Sequence, residues 1–117
     1  MKGQMNYKIA TTEYFEDNFK RLSKKYRSLV DDLDEFKKEL LKNPTDGDDL
    51  GGSVRKVRMA IASKNKGKRG GARVITCNVL VDVTNTKIYL LAIYDKGEQK
   101  SISKKAIEQL KRINGLT

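Results

Sequence analysis

The apolar residues of this chain change period along its length, and each change marks an element. Tyr7-Lys-Ile-Ala-Thr-Thr12 is short and rich in β-formers, which predicts an opening strand. Phe15, Phe19, Leu22 and Tyr26 then recur at the spacing of an amphipathic helix. Thr12 is placed to cap that helix, with Glu13 and Glu16 in the first turn, where acids suit the dipole. Leu29, Leu33, Phe36 and Leu40 repeat the stripe in a second helix. It starts at Ser28 with Asp31 as an imperfect capping box and stops at Asn43-Pro44. The short join between the two predicts an antiparallel helical hairpin laid on a sheet, its stripes serving as core. Asp46-Gly-Asp-Asp-Leu-Gly-Gly-Ser53 reads as a turn-rich connector.

From residue 54 the period falls to two. Over residues 54–62, Val57, Met59 and Ile61 alternate with polar neighbours, so Lys56 and Arg58 point together to the face opposite the helices. Residues 72–83 are nearly continuously apolar after Arg73, as in a central strand, and residues 87–94 form its hairpin partner. Ser103 caps a last helix, with Ile107, Leu110 and Ile113 inward and Gly115 at its end. The expectation is a single α+β domain over residues 1–117, with two N-terminal helices packed on a mainly antiparallel sheet in the order β-αα-βββ-α.

Charge changes the picture more than composition does. The net charge is +10, and residues 1–53 hold ten Lys and Arg against eleven acids, whereas residues 54–117 hold fifteen against four. The excess therefore lies entirely in the second half, and it favours a polyanionic partner. Between Arg55 and Arg73 stand eight cations and no acid. No apolar run approaches the roughly 20 residues that cross a membrane, and the first residues lack the apolar core of a signal peptide. The single Cys77 suits a reducing cytosol. A cytoplasmic protein without a membrane partner is expected.

The chain contains no His, which excludes a Ser-His-Asp triad, a Cys-His pair and a His-based metal site. The acids of the second half are too scattered for a two-metal nuclease, and Gly67-Lys-Arg69 is no P-loop. Cys77, within an apolar strand, reads as a packed thiol. Arg, Lys and Tyr remain. They suffice for metal-free, cofactor-free cleavage of RNA, in which the ribose 2′-hydroxyl attacks the adjacent phosphate. A guanidinium can hold the phosphate oxygens in two-pronged fashion, and a lysine crowded by like charges can take the proton. Arg73 opens its strand directly after Gly70-Gly71, whose missing side chains would let a substrate backbone approach. Lys56 and Arg58 share a face. Arg55, Lys64, Lys66, Lys68 and Arg69 are candidate phosphate contacts, those of the loop as a mobile collar. Tyr94 and Lys96, at the end of the last strand, could stack on a base or reach the phosphate. By itself the basic cluster indicates polyanion binding, not catalysis.

Gly51-Gly-Ser-Val-Arg-Lys-Val-Arg58, Ala62-Ser-Lys-Asn-Lys-Gly-Lys-Arg-Gly-Gly-Ala-Arg73 and Leu91-Ala-Ile-Tyr-Asp-Lys-Gly-Glu98 resemble the RelE superfamily of bacterial toxins, most closely its HigB-type branch. The resemblance implies a RelE-like compact microbial ribonuclease fold, with helices on one side of a twisted antiparallel sheet. It implies a toxin that enters the ribosomal A site, cleaves mRNA and stops translation. A cognate antitoxin would neutralise it and co-repress the operon, so that operator DNA is reached only through the antitoxin. The family's paired basic residues fall on Lys56 and Arg58, its strand-opening arginine on Arg73 and its later basic residue on Lys96. RelE proper has a tyrosine where Ile102-Ser103 stand here, which leaves Tyr94 as the substitute in proton transfer. Two alternatives share these features: a ParE-like gyrase inhibitor on the same fold, and a non-catalytic nucleic-acid-binding protein.

Overall fold

The computed structural model describes residues 5–117. Strand β1 (Asn6–Thr11) leads into helices α1 (Glu13–Lys25) and α2 (Leu29–Lys42). Strands β2 (Asp48–Gly51), β3 (Val54–Met59), β4 (Ala72–Asp82) and β5 (Asn85–Asp95) follow, and α3 (Lys104–Ile113) closes the chain. The five strands form one sheet in the order β1-β5-β4-β3-β2. Among the described residues, only the β1–β5 pairing is parallel. This is the expected α+β arrangement with one added strand.

The sheet has a core on each face. Phe15 and Leu22 of α1 and Leu29, Leu33, Phe36 and Leu40 of α2 bury against Val57, Met59, Val74, Ile88, Leu90 and Ile93. On the other face, Ile107 and Leu110 of α3 pack with Val54, Ile75, Cys77, Leu91, Ala92 and Tyr94. Where the family resemblance places the helices on one side, α3 lies on the opposite side from α1 and α2. Each Leu, Ile or Phe fully buried in this way contributes about 1.5–3 kcal/mol. Thr12 joins helix to sheet: its hydroxyl accepts from Phe15 N at 3.1 Å and donates to the Leu91 carbonyl at 2.9 Å.

A bulge in β5 decides which core receives which residue. Ile75 pairs with Ala92 but Thr76 pairs with Leu90, so Leu91 is an extra residue on its strand. Before it, Ile88 and Leu90 face α1 and α2. Strict alternation would send Ala92 and Tyr94 the same way. The extra residue reverses the parity, so Ile93 faces α1 and α2 while Ala92 and Tyr94 face the α3 side.

Four local expectations are corrected. The connector at 46–53 contains β2, because Asp48 and Asp49 pair with Lys56 and Arg55 in a tight hairpin whose Gly51, Gly52 and Ser53 all take positive φ. The strand expected to run to Ala62 ends at Met59, and Ala62–Lys64 forms a 3-10 turn. There the amides of Ala62 and Ser63 donate to Asp32 (3.1 Å) and Ser28 (2.9 Å) of α2 instead of to a ladder. Ser28 is thereby used in tertiary bonding and makes no capping bond. Ile113 is 71% exposed, because six residues at 100° each carry it about 240° round the helix from Ile107. The buried place belongs to Lys111, whose ammonium donates to the Gly52 carbonyl at 3.1 Å.

Gly71, just before β4, lies close against the backbone at the end of β3. A Cβ there would collide with the Met59 carbonyl oxygen and lie 3.0 Å from Ile61 N and 3.1 Å from Ala60 Cα. Gly70 lies against its own loop, where a Cβ would come 2.5 Å from the Lys66 Cβ and 3.2 Å from its carbonyl oxygen. The two glycines thus admit the protein's own chain, which replaces the expectation that they make room for a substrate. Gly71→Ala is expected to cost at least about 2 kcal/mol in urea unfolding, since the neighbour it strikes is backbone. Gly67→Ala, strained by φ +62 but facing open space, should cost roughly 1 kcal/mol. Equal losses would show that close approach is not what Gly71 provides.

Candidate functional site

Strand register assembles the site. Arg58 on β3 stands directly opposite Arg73 on β4, and Arg73 directly opposite Tyr94 on β5. Directly opposed residues point to one face, so the three form a row across the sheet. The next row on that face holds Lys56, Ile75 and Ala92, with Asp48 of β2 opposite Lys56. Lys56 and Arg58 are strand neighbours at period two on this face, as expected, with Arg58 exposed and Lys56 half-buried. Among the described residues, no acid lies within ion-pair distance of Lys56, Arg58 or Arg73.

Arg73 is 5% exposed, and its guanidinium is gripped by the basic loop. Nη1 donates to the carbonyls of Lys68 (3.3 Å) and Ala72 (3.2 Å), and Nη2 donates to that of Arg69 (2.9 Å). Burial, and then the facing Arg58, push the Arg73 guanidinium below its ordinary value, against a smaller pull from Tyr94 and Asp48. Tyr94 is 4% exposed, its ring packed in the α3-side core, so it has no free face on which a base could stack. Its hydroxyl is buried with no hydrogen-bond partner among the described residues. Burial pushes this phenol up despite the opposing field of Arg73, so at neutral pH it carries a proton it can donate.

Over residues 11–117 the chain matches the family model described as the RelE toxin of the RelE/RelB toxin-antitoxin system. The protein belongs to the RelE toxin family. It is thus the toxin component of such a system, the partner of a RelB-type antitoxin, in a family whose toxins are generally endoribonucleases.

In this RelE-family toxin the remaining basic residues do not form one collar. Lys64 is 12% exposed at its side chain and donates to Asp95 Oδ1 at 2.7 Å. Lys68 reaches Glu39 on α2 at 3.1 Å, an exposed pair worth little in stability. Arg55 folds back on the β2 hairpin, donating to the carbonyls of Asp46 (3.1 Å) and Gly47 (3.0 Å), with Asp49 at 3.8 Å. Lys66 and Arg69 are exposed. Lys96 is exposed and donates through Nζ to the Lys100 carbonyl at 3.2 Å, while its backbone amide donates to the Gly71 carbonyl at 3.0 Å. Cys77 is buried, and burial pushes its thiol up, away from reactivity.

The residues that sequence reasoning passed over hold the loop. Asp95, 1% exposed, accepts from Lys64, from the Tyr26 hydroxyl and from Gly97 N (2.9 Å), with Lys25 at 3.5 Å. Burial pushes its carboxyl up, but the bonds from Lys64, Tyr26 and Gly97 outweigh this and bring it to about 2. The signal in the sequence was a lone acid between Tyr94 and Lys96. The RelE-family toxin should therefore lose stability on acidification in a defined window. The folded carboxyl titrates below its unfolded value near 4, so the contribution is complete above about pH 4 and lost as pH falls toward 2. Urea midpoints across that range should report a loss of roughly 2 kcal/mol that is absent from Asp95→Asn. An unchanged acid dependence in that variant would remove Asp95 from the account.

Proposed function

We propose that this toxin is a ribosome-dependent endoribonuclease that cleaves mRNA in the A site, using the 2′-hydroxyl as nucleophile and no metal. What carries the reading is the row of two facing guanidiniums without acidic partners, ended by a buried, protonated, unpartnered hydroxyl. A dianionic phosphorane-like transition state would relieve the repulsion between Arg58 and Arg73 more than the singly charged ground state does, which is the differential binding that catalysis needs. Arg58 and Lys56 contact the phosphate from the open strand. Arg73 acts mainly through its fixed charge and its grip on the loop, with Nε and one Nη2 hydrogen left for the substrate. Tyr94, the proton donor in this scheme, protonates the departing 5′-oxygen, and Lys56 is the group that takes the 2′-hydroxyl proton. Lys66, Lys68, Arg69 and Lys96 line the approach, where exposure and length suit them to ribosomal or messenger backbone.

The motifs at Gly51–Arg58 and Gly67–Arg73 support placement in the HigB-type branch, acting in the cytoplasm where ribosomes are. Its antitoxin would neutralise it and bring it to operator DNA.

Attack by the 2′-oxygen expels the 5′-oxygen, leaving a 2′,3′-cyclic phosphate on one fragment and a 5′-hydroxyl on the other. Induced expression should therefore arrest growth and yield mRNA 5′ ends inside translated codons that ligate only after phosphorylation. Arrest with intact mRNA and loss of gyrase supercoiling would instead establish the ParE-like reading. Arg58→Ala should lower single-turnover cleavage on programmed ribosomes by on the order of 10²–10³-fold, and Lys56→Ala by about 10²-fold. Tyr94→Phe keeps the packed ring and removes only the hydroxyl; a fall of about 10²-fold is expected, and a wild-type rate would exclude Tyr94 from the chemistry.

A further inference from the structure

Asp95 and Tyr94 are consecutive on β5 and so face opposite ways. Tyr94 ends the candidate catalytic row, while Asp95 points back among α1 and the start of the basic loop. A buried carboxylate is an expensive way to fill such a place, since well-packed apolar groups would serve stability as well or better. Its partners come from three segments that share no ladder at that point: Tyr26 at the end of α1, Lys64 in the 3-10 turn, and Gly97 beyond β5. Lys64 also lies over the Tyr26 ring, 5.6 Å from its centre. Asp32 and Ser28 of α2 hold the amides just before Lys64, and the Lys96 amide holds the carbonyl of Gly71 at the far end of the loop. Residues 65–70 are thus suspended between two fixed ends, and from that span come the carbonyls of Lys68 and Arg69 that grip Arg73.

We propose that Asp95 is a positioning residue for cleavage: by fixing Lys64 and the end of β5, it sets the loop carbonyls that aim Arg73 and the strand position that aims Tyr94. The inference rests on the ribonuclease reading above. Loss of the carboxylate leaves the exposed cations able to hold RNA, so the effect falls on the chemical step rather than on binding. An ångström of misplacement suffices for a large rate loss.

The test uses full-length protein on programmed ribosomes in single turnover, with amide exchange read in parallel. Asp95→Asn should lower the maximal rate by on the order of 10–100-fold, move the half-saturating concentration less than about threefold, and speed exchange within residues 65–70. Asp95→Asn/Lys64→Met, which removes both charges, should recover thermal stability without recovering the rate. Ile88→Val, a core change remote from the cluster, should lower stability and leave the rate unchanged. A wild-type rate in Asp95→Asn, or a rate that returns with stability in the double variant, would overturn the proposal. If the unmodified protein leaves ribosome-bound mRNA intact, the ribonuclease reading falls. Exchange then judges positioning alone, and unchanged protection of residues 65–70 in Asp95→Asn would overturn that too.

Discussion

Arg58 and Arg73 face each other across adjacent strands, where like charges destabilise a sheet. Much of the surrounding structure serves to hold that repulsion in place. The basic loop turns its carbonyl dipoles, not a carboxylate, toward Arg73, so the positive field stays available to a ligand. An acid in the same position would have neutralised it. Asp48 is near enough to be felt by Arg73 but makes no ion pair with it. The acids of this region are instead spent elsewhere, Asp95 on Lys64 and Glu39 on Lys68 at the loop's outer attachments and Asp49 on Arg55 at the β2 hairpin. Positive charge is thereby paired where the loop is anchored and left unpaired in the row of Arg58 and Arg73.

Two cores make this arrangement stiff. β4 runs between β3 and β5 with α1 and α2 behind it and α3 in front, so Val74 and Ile75, consecutive residues, are both fully buried on opposite faces. Arg73 precedes them in the same strand and inherits their fixed backbone. The loop lacks such burial and is held by point attachments, chiefly polar ones, which makes it the part most sensitive to single substitutions. The site therefore combines a packed strand floor with a tethered rim.

Much of the fold was legible in the sequence because periodicity reports burial. The stripes at Phe15–Tyr26 and Leu29–Leu40, the alternation around Val57 and the apolar run after Arg73 each reflect one physical face. β2 was not legible, since Asp48-Asp-Leu-Gly51 has neither strand composition nor alternation and pairs through its backbone at a sheet edge. Ile113 misled because hydrophobicity does not reveal where a short helix stops touching its neighbour. For the site, side-chain type and period two were enough to bring Lys56, Arg58 and Arg73 together. They could not show that Lys64 and Arg55 are occupied elsewhere, because both partnerships join residues that only tertiary structure makes adjacent. The role of Gly71 was hidden for the same reason: the sequence shows a missing side chain, not the Met59 carbonyl that fills the space.

Tyr94 owes its place in the row to the additional residue at Leu91, which carries no side-chain chemistry of its own toward the site. What matters there is a count. Any hydrophobic residue could stand at Leu91, but the same sequence running through this stretch without the bulge would turn Tyr94 toward the helices and bring Asp95 onto the face of Arg58 and Arg73, setting an anion where the row now has a neutral hydroxyl. The pleat of β5 thus constrains this row as much as side-chain chemistry does.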